Sequence, residues 1–222
     1  MSKNIIQESD YSIAFFSSLL SDLRYMKSFH YAISEEFSTD KEKHELNDFY
    51  KLNDITSLIT ICHLDLITNS KNLYLAKSDW EKIFFIKNTF LVIYETINSF
   101  HKHGKFLKSK SKINEKISFN YDEAANELKK FKNRYKYDTH INKIRNNISG
   151  HINDNFEEYY DEIINFDAER TSIMTLDFFK IINKIQNLLT ELMKTVIIDT
   201  SKINNIKLAE IQKRLSQIKK YR

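Results

Sequence analysis

Two side chains in the stretch Ile141–His151 (INKIRNNISGH) are suited to work on a phosphodiester: Arg145 and, six positions on, His151. Histidine titrates near neutrality and can take or give a proton. Arginine carries a permanent charge in a planar fork that matches phosphate oxygens. Cleaving RNA without a metal needs a base for the ribose 2′-hydroxyl proton, an acid for the departing 5′-oxygen, and a cation for the phosphorane charge. Asn146, directly after the arginine, adds an amide that can orient the pair by hydrogen bonding. Six residues at about 100° each leave the two side chains roughly 120° apart on an ideal helix, so an unbroken helix does not aim both at one phosphate. Gly150, immediately before His151, relaxes the backbone there. A second copy of the stretch facing the first across a two-fold axis would supply what one copy lacks.

The elements that must position these groups are helices. The 222 residues include no proline and two glycines, Gly104 and Gly150, and a sheet protein of this size would need far more turn formers. Apolar residues make up 41% of the chain, with 16 Phe and 12 Tyr, which is enough for a sizeable core. The expected fold is all-α: a compact bundle of about six to seven helices with long central ones. No linker or repeat divides it, so 1–222 reads as one domain, with 202–222 a basic C-terminal helix or tail. The N-terminus lacks the apolar core of a signal peptide, and no stretch reaches the roughly 20 apolar residues of a membrane span. The expectation is a soluble, cytoplasmic protein without membrane contact.

Periodicity places the elements. A first helix is expected from Asp10, as N-cap, to Ser34, then a polar connection and a second helix from Leu46 to Ala76, with an interruption possible at 69–72. Ser78 and Glu81 stand at capping-box spacing ahead of the most apolar stretch of the chain, which should be the central helix. Glu95 falls on the face of Glu81 and Asn88 and should be the most enclosed carboxylate there, with a solvated seam or a lysine partner as the plainer reading. Gly104 would end this helix as a left-handed cap, and the serine–lysine alternation of 108–112 has no amphipathic period and reads as a basic loop. Helix resumes over 121–136. An acidic block at 154–169 then carries seven acids and no Lys or Arg, and a long amphipathic helix covers 171–198. The segment Lys202–Arg222 has seven basic residues and one acid, with Leu208, Ile211, Leu215 and Ile218 at 3-4-3 spacing.

RNNISGH, an arginine followed by polar residues and closing on histidine in an all-helical chain, resembles the signature of the HEPN superfamily. The matching positions are Arg145, Asn146 and His151. The resemblance implies a metal-independent endoribonuclease that dimerises so that two motifs form one composite site. Many such proteins act as toxins or in phage defence, sometimes beside a nucleotidyltransferase-like antitoxin. Arg145 would then stabilise the phosphorane, His151 would serve as general acid or base, and Asn146 would orient them. The family often adds a polar or acidic residue from a preceding helix, for which Glu95 is the candidate. The implied partners are RNA, a second copy of the chain and an antitoxin protein. The alternative is a non-catalytic helical interaction or dimerisation module of a defence or toxin–antitoxin system, and a further option is a nucleic-acid binder that uses its basic tail.

Rival chemistries find less support. Cys62 lies in an apolar run and reads as a small buried hydrophobe. His101 and His103 lack partners at ligand spacing, so no metal is expected. The absence of a glycine-rich phosphate loop counts against ATP or dinucleotide use, and no cofactor is expected. His140 reads as a surface residue. Lysine outnumbers arginine 28 to 6, which makes each arginine more informative. The lysine-rich segments at 105–116 and 129–136 fit a phosphate backbone.

Overall fold

The computed structural model describes residues 2–34, 40–149, 155–196 and 212–213. Among these are seven α-helices and no strand: α1 (Ser2–Ile33), α2 (Asp40–Leu75), α3 (Asp79–Ser111), α4 (Glu115–Arg134), α5 (Asn142–Ile144), α6 (Phe156–Ile164) and α7 (Ala168–Thr195). The all-α bundle expected from composition is the observed class. The single turn of α5 stands between two π-helical turns, Tyr137–Ile141 and Arg145–Ser149.

α3 is the central element. Its start is the capping box expected from Ser78 and Glu81: the Glu81 amide donates to Ser78 Oγ (3.2 Å) and the Ser78 amide donates to the Glu81 carboxylate (2.9 Å). Ile86, Ile93, Ile97 and Phe100 are buried along it, against α2, α7 and α4. Fully burying one such side chain stabilises by about 1.5–3 kcal/mol. From α7, Phe178, Ile182, Ile185, Leu188 and Leu192 fill the same core. α1 rests on α2 through a smaller cluster of Ala32, Ile33, Leu46 and Phe49. Cys62 is buried as expected, and burial raises its thiol pKa above the usual range.

Several boundaries differ from the sequence expectations. Asp10 is not an N-cap: α1 begins at Ser2, and Asp10 lies inside it, paired with Lys71 of α2. α2 starts earlier than expected, at Asp40, and continues through 69–72 without a break. Gly104 does not end α3, for its φ is not positive, and the helix continues to Ser111. The reason is that Leu107 and Ser111 are buried, and Ser111 Oγ closes on the Lys108 carbonyl (2.9 Å). Lys110 reaches Asp48 of α2, which anchors the segment read from sequence as a loop. α4 starts at Glu115 behind the N-cap Asn114, ahead of the expected 121. Lys136, just past its end, is the one described non-glycine with positive φ (φ 50°, ψ 52°), and this left-handed residue breaks α4 from the first π-turn.

Candidate active site

Residues 137–149 lie along α3 with Tyr137, Ile141, Ile144 and Ile148 buried in the core. Spacings of four, three and four keep these four on one seam. Arg145 and Asn146, one and two positions past Ile144, are left on the rim. A π-turn carries an extra residue per turn and re-aims the side chains around it, which is why such turns recur at functional sites. The backbone bond from the Asn142 amide to the Tyr137 carbonyl closes the first of them.

On this rim Arg145 is held from three directions. Nη1 donates to Asn146 Oδ1 (3.0 Å) and Nη2 to Glu95 Oε1 (3.3 Å), while the guanidinium sits 5.1 Å from the centre of the Tyr94 ring. Asn146 is fixed in turn, its Nδ2 donating to Asn142 Oδ1 (2.9 Å). The Arg145 Nε–H is buried without a partner. Beneath the arginine, Tyr94 stacks on Tyr137 (5.6 Å, 10° between planes), and Tyr137 donates its hydroxyl to Asn98 Oδ1 (3.0 Å). Burial pushes the Tyr137 phenol far above its ordinary pKa, so it stays a neutral donor. The Lys132 ammonium lies 4.6 Å from the Tyr137 ring centre and 3.7 Å from Asp138, adding a second cation behind the stack.

Three of the four site residues read from the sequence, Arg145, Asn146 and Glu95, therefore converge across a separation of 50 positions. His151 lies outside the described residues, as does Gly150. Glu95 stands at a half-open seam, and an arginine takes the place of the lysine that the sequence offered as its partner. Its side chain is 48% exposed, against 31% for Arg145, and its partner is that arginine. An ion pair this open contributes at most about 1 kcal/mol to stability, so its effect is mainly to aim the guanidinium.

His140 does not join Arg145. It stands edge-on to Phe90 (5.7 Å between centres) and lines a separate cleft with Lys136 and Arg170. The sequence expectation passed over Arg170 and Tyr94, and took Lys136 only as the end of the basic segment 129–136. The scarcity of arginine was the signal available for Arg170, and nothing in the sequence marked Tyr94. His101 and His103 sit on α3 without carboxylate ligands, and burial lowers both their pKa values. Among the described residues, no group of three or more His, Cys, Asp or Glu side chains is placed to hold a metal ion. Nor is any helix there long and apolar enough to cross a membrane. No family model, curated protein or solved structure matches the chain.

Proposed function

We propose that this chain is a metal-independent endoribonuclease of the HEPN type, acting in the cytoplasm as a toxin or defence effector. The observation that carries this reading is the convergence of Glu95, Arg145 and Asn146 on one rim, with the guanidinium already oriented. Arg145 stabilises the charge that develops on the phosphorane, and Asn146 and Glu95 hold its fork in place. His151, six residues on, takes or supplies the proton. The ribose 2′-oxygen attacks the adjacent phosphorus, its proton passing to the base. The P–O5′ bond breaks as the acid protonates the departing oxygen, leaving a 2′,3′-cyclic phosphate and a 5′-hydroxyl. A second copy of the chain supplies the complementary acid or base in a composite site, and an antitoxin protein would silence it.

The test is cleavage of end-labelled RNA in EDTA by wild type, Arg145→Ala and His151→Ala. The expected result is cleavage by wild type to cyclic-phosphate ends, with both variants slower by about 100-fold or more. Equal rates in all three would remove the site assignment. A second reading, a non-catalytic helical interaction module, is favoured by the closure of Arg145 on Glu95 within the chain itself. It predicts no cleavage by any form, with the substitutions acting only on partner binding.

A further inference from the structure

On the other side of the 137–149 segment, a cleft of about 420 Å³ opens between α3, the end of α4, α6 and the start of α7. Its lining includes Arg134, Lys136 and Arg170 together with Phe90 and Phe166, whose rings are stacked 5.9 Å apart with 25° between their planes. Two carboxylates also line it, and both are engaged. Glu162 is bound by Lys143, and Asp167 caps α7 by accepting from the Arg170 amide (3.0 Å). Arg134 is committed to Asp177 (2.7 Å). Lys136 and Arg170, by contrast, form no ion pair with any described carboxylate. Three cations and two carboxylates therefore line the cleft, and Lys136 and Arg170 are the two of the cations that no described carboxylate pairs. The positive end of the 28-residue α7, whose first residues border the cleft, adds to them. His140, at the cleft wall, responds to this field: burial lowers its pKa first, and the Arg170 charge lowers it next.

A site of small-ligand volume whose lining combines cations that no described carboxylate pairs with stacked aromatic rings fits a phosphate ester joined to a flat, stackable group. We propose that this cleft binds the phosphate of a ribonucleotide, gripped by Lys136 and Arg170, with the base or sugar against Phe166. The site is distinct from the Arg145 rim, and binding there requires no cleavage. Either a free mononucleotide or one unit of an RNA strand would present this chemistry.

Titration calorimetry at low salt, with inorganic phosphate, 5′-AMP and a 2′-O-methyl oligoribonucleotide that cannot be cleaved, tests the proposal. The expected result is that AMP binds more tightly than inorganic phosphate. Arg170→Gln and Lys136→Gln should each weaken AMP by about tenfold, the loss of one charge-assisted contact. Lys27→Gln, on α1 and paired with Asp54, should leave binding unchanged. In the unaltered protein, addition of AMP should shift the His140 ring resonances, a readout that needs no variant. An oligonucleotide more than about tenfold tighter than AMP, weakened by the same variants, identifies a strand as the source. Equal or weaker binding identifies a mononucleotide. The proposal is overturned if wild type does not bind AMP at millimolar concentration, or if AMP binds no better than phosphate. Binding by the doubly substituted protein within about twofold of wild type, or fixed His140 resonances, overturns it as well.

Discussion

Arg145, within the 137–149 segment, and Arg170, in the first turn of α7, have opposite surroundings. Arg145 lies on an aromatic ring, bound to a carboxylate and to its own neighbour Asn146. Arg170 has only its backbone amide tied down, by Asp167, and its charge has no described counterion. A carboxylate about 4 Å away offsets an arginine by about 1–4 kcal/mol, depending on the local dielectric. Glu95 therefore trades some of the pull of Arg145 on a phosphate for a fixed orientation, while Arg170 keeps its pull and gives up the orientation. A guanidinium that must meet a transition state benefits from the first arrangement, and one that only captures an anion benefits from the second.

The sharpest way to break the contrast is to loosen what both arginines share. Ile144 is fully buried in the turn between the two π-turns, and Ile144→Ala should cost about 2–5 kcal/mol in a denaturant titration. Cleavage and AMP binding should weaken together; loss of one alone would mean that the two regions are mechanically separate. Next in size, Arg145→Ala should slow RNA cleavage by about 100- to 1000-fold and change stability by less than about 1 kcal/mol. Arg170→Gln should give the converse pattern, retained cleavage of short substrates with weakened AMP binding. Glu95→Gln tests the orienting role: kcat should fall about tenfold as the guanidinium loses its aim, and KM should fall with it because the phosphate no longer competes with a carboxylate. A kcat that rises instead would make Glu95 a restraint on the site. The smallest effect is a titration. Removing a neighbouring cation makes protonation easier, so the His140 midpoint followed by NMR should rise in Arg170→Gln toward its ordinary value and stay put in Arg145→Ala.

Much of the fold was legible because helices announce themselves chemically. Ser78 and Glu81 marked the start of α3, and the apolar period of α7 marked its buried face. Gly104 misled because glycine is only permitted, not required, to turn left-handed. Here the burial of Leu107 and Ser111 and the anchoring of Lys110 on Asp48 carry the helix through. The π-turns left no trace in composition, since one extra residue in a turn changes geometry without changing residue type. The RNN run identified Arg145 and Asn146, and Glu95 was named on weaker grounds. A solvated seam or a lysine partner was among the readings for Glu95; what could not be read was that its partner would be Arg145, because that depends on the angle at which two helices meet. The Lys136–Arg170 cleft was invisible for a related reason. Its cations are 34 positions apart and meet only when α7 starts beside the end of α4.

The left-handed backbone of Lys136 bears on stability as well as on shape. For a residue with a Cβ that conformation costs about 1–2 kcal/mol, which a glycine would avoid, less the roughly 0.5–1 kcal/mol of extra freedom glycine gains when unfolded. Lys136→Gly should thus leave the protein equally stable or slightly more so while removing one of the two cleft cations that no described carboxylate pairs. A chain selected for stability alone would lose little by making that exchange. The exchange therefore separates the charge of Lys136 from its backbone: AMP binding should weaken in Lys136→Gly while the denaturation midpoint holds or rises.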